Sequence, residues 1–168
     1  MNTDCVCVST LVRVDAATAF EVFTNDIAGW WKPKVRGMFQ KGQTGTLQFR
    51  DGRLWETYSS AEPFEIGRVL AWEPGKRLVV AWRQEGCAPD EHTEVEVRFE
   101  ASGAGTRVTV EHRGWDALPA AHPARHGYSG GAFSTMMGLR WADALTSLIE
   151  AAAERESVAL RPIKKPTR

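Results

Sequence analysis

The one long helical stretch of this chain comes at its end, and that placement constrains the fold more than any motif does. Trp141, Leu145, Leu148, Ile149 and Ala152 stand at offsets 0, 4, 7, 8 and 11, an apolar stripe of helical period within a segment running from about Gly130 to Glu156. Before it, after a short helix and a Trp-Trp pair (Phe20 to Trp31), the chain is strand-like as far as His112. A curved antiparallel sheet with one bare face needs a cover, and the terminal helix is the only long element able to provide it. Room for a small molecule commonly remains between such a sheet and a single helix, so the order of elements predicts a binding cavity more than a catalytic machine.

The local patterns fill in this outline. Val6, Val8, Thr10, Val12 and Val14 share one face of a first strand. Asp15 is placed to cap a short helix carrying Ala16, Ala19, Phe20 and Phe23, and Asp26 a second that ends at Trp30-Trp31 before Pro33. Glycines break up short strands between Val35 and Arg50. Asp51-Gly52 marks a type I′ hairpin, which needs positive φ at both positions, and Pro74-Gly75 fits a type II turn. Strands follow over Leu54–Ser60, Phe64–Trp72 and Leu78–Arg83, then a polar loop from Glu85 to His92. Val95, Val97 and Phe99 alternate with Glu94, Glu96 and Arg98, and Val108, Val110 and His112 with Arg107, Thr109 and Glu111. That alternation predicts a hairpin with one wet face. Apolar residues on both sides leave the facing of Trp72 and Trp82 open.

Length and charge exclude several classes. At 168 residues the chain is expected to form one domain over residues 1–160, followed by a flexible basic tail at 161–168. Lys+Arg and Asp+Glu are both 21, which draws it neither to nucleic acid nor to an anionic membrane and leaves homodimer formation open. No apolar run reaches the ~20 residues of a membrane span. The start lacks the basic and apolar regions of a signal peptide, and three cysteines without framework spacing suit a reducing compartment. The expected location is the cytoplasm.

Four segments in the same order carry a family likeness. They are Asp15 to Phe20 with Gly29-Trp30-Trp31-Lys32-Pro33; Gly67-Arg68-Val69 with Glu73-Pro74 and Arg77 to Trp82; Gly105 to His112 with Gly114-Trp115; and Gly138 to Trp141 with Leu145 and Leu148. Together they resemble the bacterial domains similar to the C-terminal domain of the heat-shock-protein-ninety ATPase activator, within the START-like or SRPBCC superfamily. The resemblance covers about residues 5 to 155. It implies an α+β helix-grip fold, with a curved antiparallel sheet of about six or seven strands wrapped around a long C-terminal helix and two short helices after the first strand. Members include carriers, cyclases and chaperone regulators, so the likeness does not select an activity.

Other motifs carry less. Gly127 to Gly131 has the G-x-S-x-G spacing of a nucleophile elbow, but no strand enters it and no histidine follows it, so Ser129 reads as a helix N-cap. His122 and His126, four apart across Pro123, read as exposed loop histidines rather than metal ligands, and Cys5 and Cys7 as small buried thiols. No metal or cofactor is expected. The leading expectation is a domain without chemistry of its own that binds a small hydrophobic or aromatic molecule. Phe133, Met137 and Trp141 would form the helix side of its cavity, Trp30 and Trp31 the mouth, Trp55 and Trp82 the sheet side, and His112 the one polar contact, with Gly114 to Gly127 as a gate. Two alternatives stand beside it: a cyclase/aromatase-like or hydrolase-like enzyme using His112 as acid/base with Tyr58 or Glu56 as helper, and a chaperone-ATPase activator. The stripe itself makes a prediction. Trp141→Ala should lower stability by about 3–5 kcal/mol and Arg140→Ala should do almost nothing, as thermal melts of the two variants will read.

Overall fold

In a computed structural model, which describes residues 4–33, 42–83 and 86–161, the period-two alternations become a seven-stranded antiparallel sheet. Its strands are β1 (Cys5–Val12), β2 (Thr46–Arg50), β3 (Arg53–Thr57), β4 (Phe64–Glu73), β5 (Arg77–Trp82), β6 (Thr93–Ser102) and β7 (Gly105–Arg113), in the order β1-β7-β6-β5-β4-β3-β2. Helices α1 (Ala16–Thr24) and α2 (Ile27–Trp30) follow β1, and α3 (Gly130–Ala159) ends the fold. This is the helix-grip arrangement. No helix among the described residues is long and apolar enough to cross a membrane. The segment from Lys34 to Lys41, Gln84-Glu85 and the expected tail from Pro162 onward lie outside the described residues.

The turn chemistry acts as its residues dictate. Asp15 accepts from Thr18 N at 2.8 Å and caps α1. Asp51 and Gly52 have φ of 52° and 69°, and Gly75, at φ 72°, sits in a turn closed by Lys76 N donating to Glu73 O at 2.9 Å. Ser129 stands at the N-cap of α3 without a side-chain cap bond; only its carbonyl serves, accepting from Phe133 N at 3.3 Å.

The two faces of β6 and β7 separate as their alternation requires. Val95, Val97, Phe99, Val108, Val110 and His112 are buried, Phe99 against Phe20 and Phe23 of α1 and His112 against Trp141 of α3. The opposite face carries a lattice in which Arg113 meets Glu94, Glu96 and Glu111, Arg98 meets Glu96 and Glu111, and Arg77 meets Glu96. Glu96 and Glu111 are partly desolvated, yet the Arg113 and Arg98 guanidinium groups hold both below the usual carboxylate range. A register shift between Val69 and Ala71 breaks the phase of β4, which is why its sequence looks apolar on both sides. Trp82 is 4% exposed and lies inside. Trp72, 42% exposed, sits at the far rim, edge-on to Phe20 at 5.1 Å.

Three expectations need correction. Ile149 is 39% exposed, because at 100° per residue it falls roughly 70° from the centre of the stripe formed by Trp141, Leu145, Leu148 and Ala152, on its flank. Cys5 is half-buried and Cys7 exposed on the edge strand, so neither is a core thiol. The Gly114 to Gly127 segment is no free loop: two 3₁₀ turns, Trp115–Ala117 and Pro123–Arg125, plug the end of the sheet with Trp115, Leu118, Ala124 and Arg125 buried.

Gly67 pairs with Trp82 across β4 and β5, where a Cβ would overlap the Ala81 carbonyl oxygen and meet Val80 Cγ1 at 2.7 Å. The strands approach this closely only because no side chain intervenes. Gly67→Ala should therefore cost about 1–3 kcal/mol, read as a lowered denaturation midpoint.

Candidate ligand-binding site

The inner face of the sheet and the buried face of α3 meet through aromatic rings. Trp31, from the turn after α2, stacks on Trp30 at 5.4 Å and 6° and on Trp82 at 5.4 Å and 28°, and lies 5.0 Å from Trp141. Trp30 is fixed by its Nε1–H, which donates to Val22 O at 3.1 Å and Phe23 O at 3.3 Å. Trp141 stands 6.1 Å from Trp82, and His112 lies 6.0 Å from Trp141 and 4.4 Å from Trp115, whose edge meets Phe133 at 4.7 Å. Met137 is buried one turn before Trp141 on the same helix face. Seven of the eight residues picked from the sequence (Trp30, Trp31, Trp82, His112, Phe133, Met137 and Trp141) are thus buried between sheet and helix.

Trp55 is not among them. Leu54 and Glu56 point inward, so their neighbour Trp55 faces the other side of β3, with the Arg50 guanidinium 5.8 Å from its ring centre. Its sequence neighbours gave no warning, since an aromatic strand residue looks the same from either face.

His112 is a fully committed group. Trp141 Nε1–H can only donate, and it reaches His112 Nδ1 at 3.2 Å; the ring proton therefore sits on Nε2 and is donated to Thr93 Oγ1 at 2.7 Å. Thr93 in turn donates to Trp82 O at 3.4 Å. Burial alone pushes the His112 pKa down to about 3. A ring bonded at both nitrogens, with its pKa far below 7, has neither a free nitrogen nor a matched pKa, which weighs against the acid/base role considered for it. Its suggested helpers are also remote. Glu56, fully buried, accepts from Gly45 N at 2.9 Å and Tyr58 Oη at 2.7 Å, but β3 lies four strand positions from β7, roughly 19 Å along the sheet.

The remaining histidines hold separate partners: His122 Nε2 meets Glu91 at 3.2 Å, and His126 Nε2 accepts from Arg140 at 3.0 Å. Among the described residues no three His, Cys, Asp or Glu side chains gather as a metal site. Thr93, Trp115 and Arg125 were not among the site residues expected from the sequence, although Trp115 stands in one of the segments that carry the family likeness. Trp115 directly follows the strand that carries His112, and the positive φ of Gly114 (88°) turns it under α3, but neither Trp115 nor Arg125 belongs to a periodic pattern.

Burial of His112 links stability to pH. Its folded pKa lies below the ordinary 6.5, so the unfolded chain binds the extra proton and stability falls as pH drops from 6.5 toward 3. Across the whole interval the loss is of order 5 kcal/mol. Melts between pH 6.5 and 5, above the range where Glu96 and Glu111 titrate, should show this slope, and His112→Gln should reduce it, leaving the share of His126, whose pKa is also lowered by burial and by Arg140.

No curated protein matches the chain. Among solved structures it resembles CalC from Micromonospora echinospora, a self-sacrificing resistance protein, with a TM-score of 0.62 and 27% identity over 98% of this chain and 100% of that one. It also resembles the Aha1 dimer from Colwellia psychrerythraea (TM-score 0.55, 16% identity, 88% of this chain and 95% of that one). A third likeness is to DynU16, from the dynemicin biosynthetic locus (TM-score 0.59, 20% identity, 88% of this chain), of which it spans 46% of the length. At 16% and 20% identity the latter two show the shared fold alone. The model of the family described as Activator of Hsp90 ATPase homolog 1-like protein matches residues 13–150, and the chain belongs to that family.

Proposed function

We propose that the protein binds one small hydrophobic or aromatic molecule against the wall formed by Trp31, Trp82 and Trp141. The observation that carries this reading is the wall itself: three indoles from three different elements adjoin with centroids 5.0 to 6.1 Å apart, beneath a helix whose adaptable Met137 lies one turn away. In this reading His112 is a positioning residue. It holds the Trp141 ring directly and the Trp82 backbone through Thr93, so that the wall keeps its shape when a guest enters. The family name does not choose between a carrier and a chaperone regulator. CalC, 27% identical along both whole chains, is a self-sacrificing resistance protein, a role compatible with this reading.

Titration with the neutral probe N-phenyl-1-naphthylamine tests this. Its fluorescence should rise to saturation at one probe per chain while tryptophan emission falls. Trp31→Leu, checked for folding by its melt, should weaken the probe by about tenfold through the lost ring contacts. A folded protein that gives no saturable signal would overturn the proposal.

A further inference from the structure

Arg125 carries a charge that no described carboxylate neutralises. The residue is 6% exposed; its Nε donates to Leu118 O at 3.2 Å, its Nη2 to Trp115 O at 2.6 Å, and its Cζ lies 5.1 Å from the Phe133 ring centre. Among the described residues its bonds end there: it forms no ion pair, and Nη1 makes no hydrogen bond. Most buried ionisable groups escape such a position by giving up their charge, but a guanidinium does not lose its proton. Carbonyl dipoles and a ring face solvate the cation without cancelling it, and an unpaired buried charge is among the costliest features a fold can keep.

A second donor without an acceptor adjoins it. Trp115 is 1% exposed, and its Nε1–H finds no partner among the described residues, although more than nine in ten buried polar groups are paired. Both side chains adjoin Phe133, Trp115 in a T-shaped pair with centroids 4.7 Å apart and Arg125 with its Cζ over the ring. Phe133 lies in the first turns of α3, where the helix adds positive potential and the first turn holds no acidic residue to offset it. Trp115 also packs on His112 at 4.4 Å, which joins this end to the wall of Trp82 and Trp141.

We propose that the Trp115–Arg125 end of the site receives a carboxylate, or an equivalent anionic oxygen, of an otherwise hydrophobic aromatic ligand. The charged oxygens would take hydrogen bonds from Arg125 and from the Trp115 indole, while the ring system lies along the tryptophan wall. Charge-assisted bonds of this kind are the strong ones, and a guanidinium is the side chain best shaped to make them. The inference rests on the binding role proposed above and specifies the ligand that role would take.

A matched pair of probes separates the two ideas. 2-Naphthoate and its methyl ester, titrated into the full-length protein at pH 7 and followed by tryptophan fluorescence, differ only in the charge. The acid should bind about tenfold or more tightly than the ester, the worth of one charged hydrogen bond. Arg125→Gln should bring the acid to the affinity of the ester and leave the ester unchanged, and Trp115→Phe, which keeps the ring and removes the donor, should weaken the acid several-fold. Equal binding of acid and ester by the unmodified protein overturns this inference and leaves hydrophobic binding standing. Equal weakening of both probes by Arg125→Gln also overturns it, since it would mark a structural staple. Binding of neither probe overturns both proposals. If Arg125→Gln does not fold, the acid-to-ester ratio in the unmodified and Trp115→Phe proteins decides.

Discussion

One directed chain of hydrogen bonds ties the covering helix to the sheet: Trp141 into His112, His112 into Thr93, and Thr93 into the carbonyl of Trp82. Each link sets the next. An indole can only donate, so the imidazole must be the tautomer that donates from Nε2, and the threonine hydroxyl must then turn to the backbone. Three elements, α3, β7 and β6, are thereby held to β5 by groups that water cannot reach. Removing any member leaves a buried donor or acceptor unpaired, at about 1–3 kcal/mol, which is more than the bond itself contributes. The tryptophans around the chain keep their mutual distances because this polar thread fixes two of them.

The same thread weighs against proton transfer by His112. Proton transfer near neutrality needs a pKa near ambient pH and a nitrogen free to act, and complete burial removes the first while Trp141 and Thr93 occupy both nitrogens. What looks from the sequence like a lone reactive group is a fixture of the wall. The sheet's outer face works differently: Arg77, Arg98 and Arg113 thread between Glu94, Glu96 and Glu111, and their neutralised charges keep that face wet. The His112 thread inside is neutral and fully bonded, and the Arg and Glu side chains outside pair with one another. Arg125, a buried cation without a carboxylate among the described residues, and the unpaired Trp115 indole depart from both patterns, and for that reason they bear on the chemistry of a guest.

Much of the fold was legible from the order of residues. The alternation in Val95 to Phe99 and Val108 to His112 named the inner face, because a strand reverses its side chains at every residue and a half-wet sheet must sort them. The helical stripe from Trp141 to Ala152 named the covering face, and Asp51-Gly52, Pro74-Gly75 and Asp15 named turns and a cap, because these depend on φ and on one side-chain oxygen. Those are local constraints. The seven residues that meet between sheet and helix came from them, and so did the family likeness.

What tertiary structure alone decided involves phase, partners and charge. Trp72 and Trp82 lie in strands apolar on both sides, and only the register shift in β4 and the pairing of Gly67 with Trp82 separate a ring at the rim from one inside. Ile149 belongs to the stripe by spacing and to the surface by its place on the flank, where it is 39% exposed. Thr93, Trp115 and Arg125 follow no period, since their roles depend on contacts with residues far along the chain or on an aperiodic plug. The chain itself therefore determined which faces are apolar, because periodicity is a property of neighbours. Only the folded arrangement determined which polar groups find partners in the dark interior, because pairing is a property of distance.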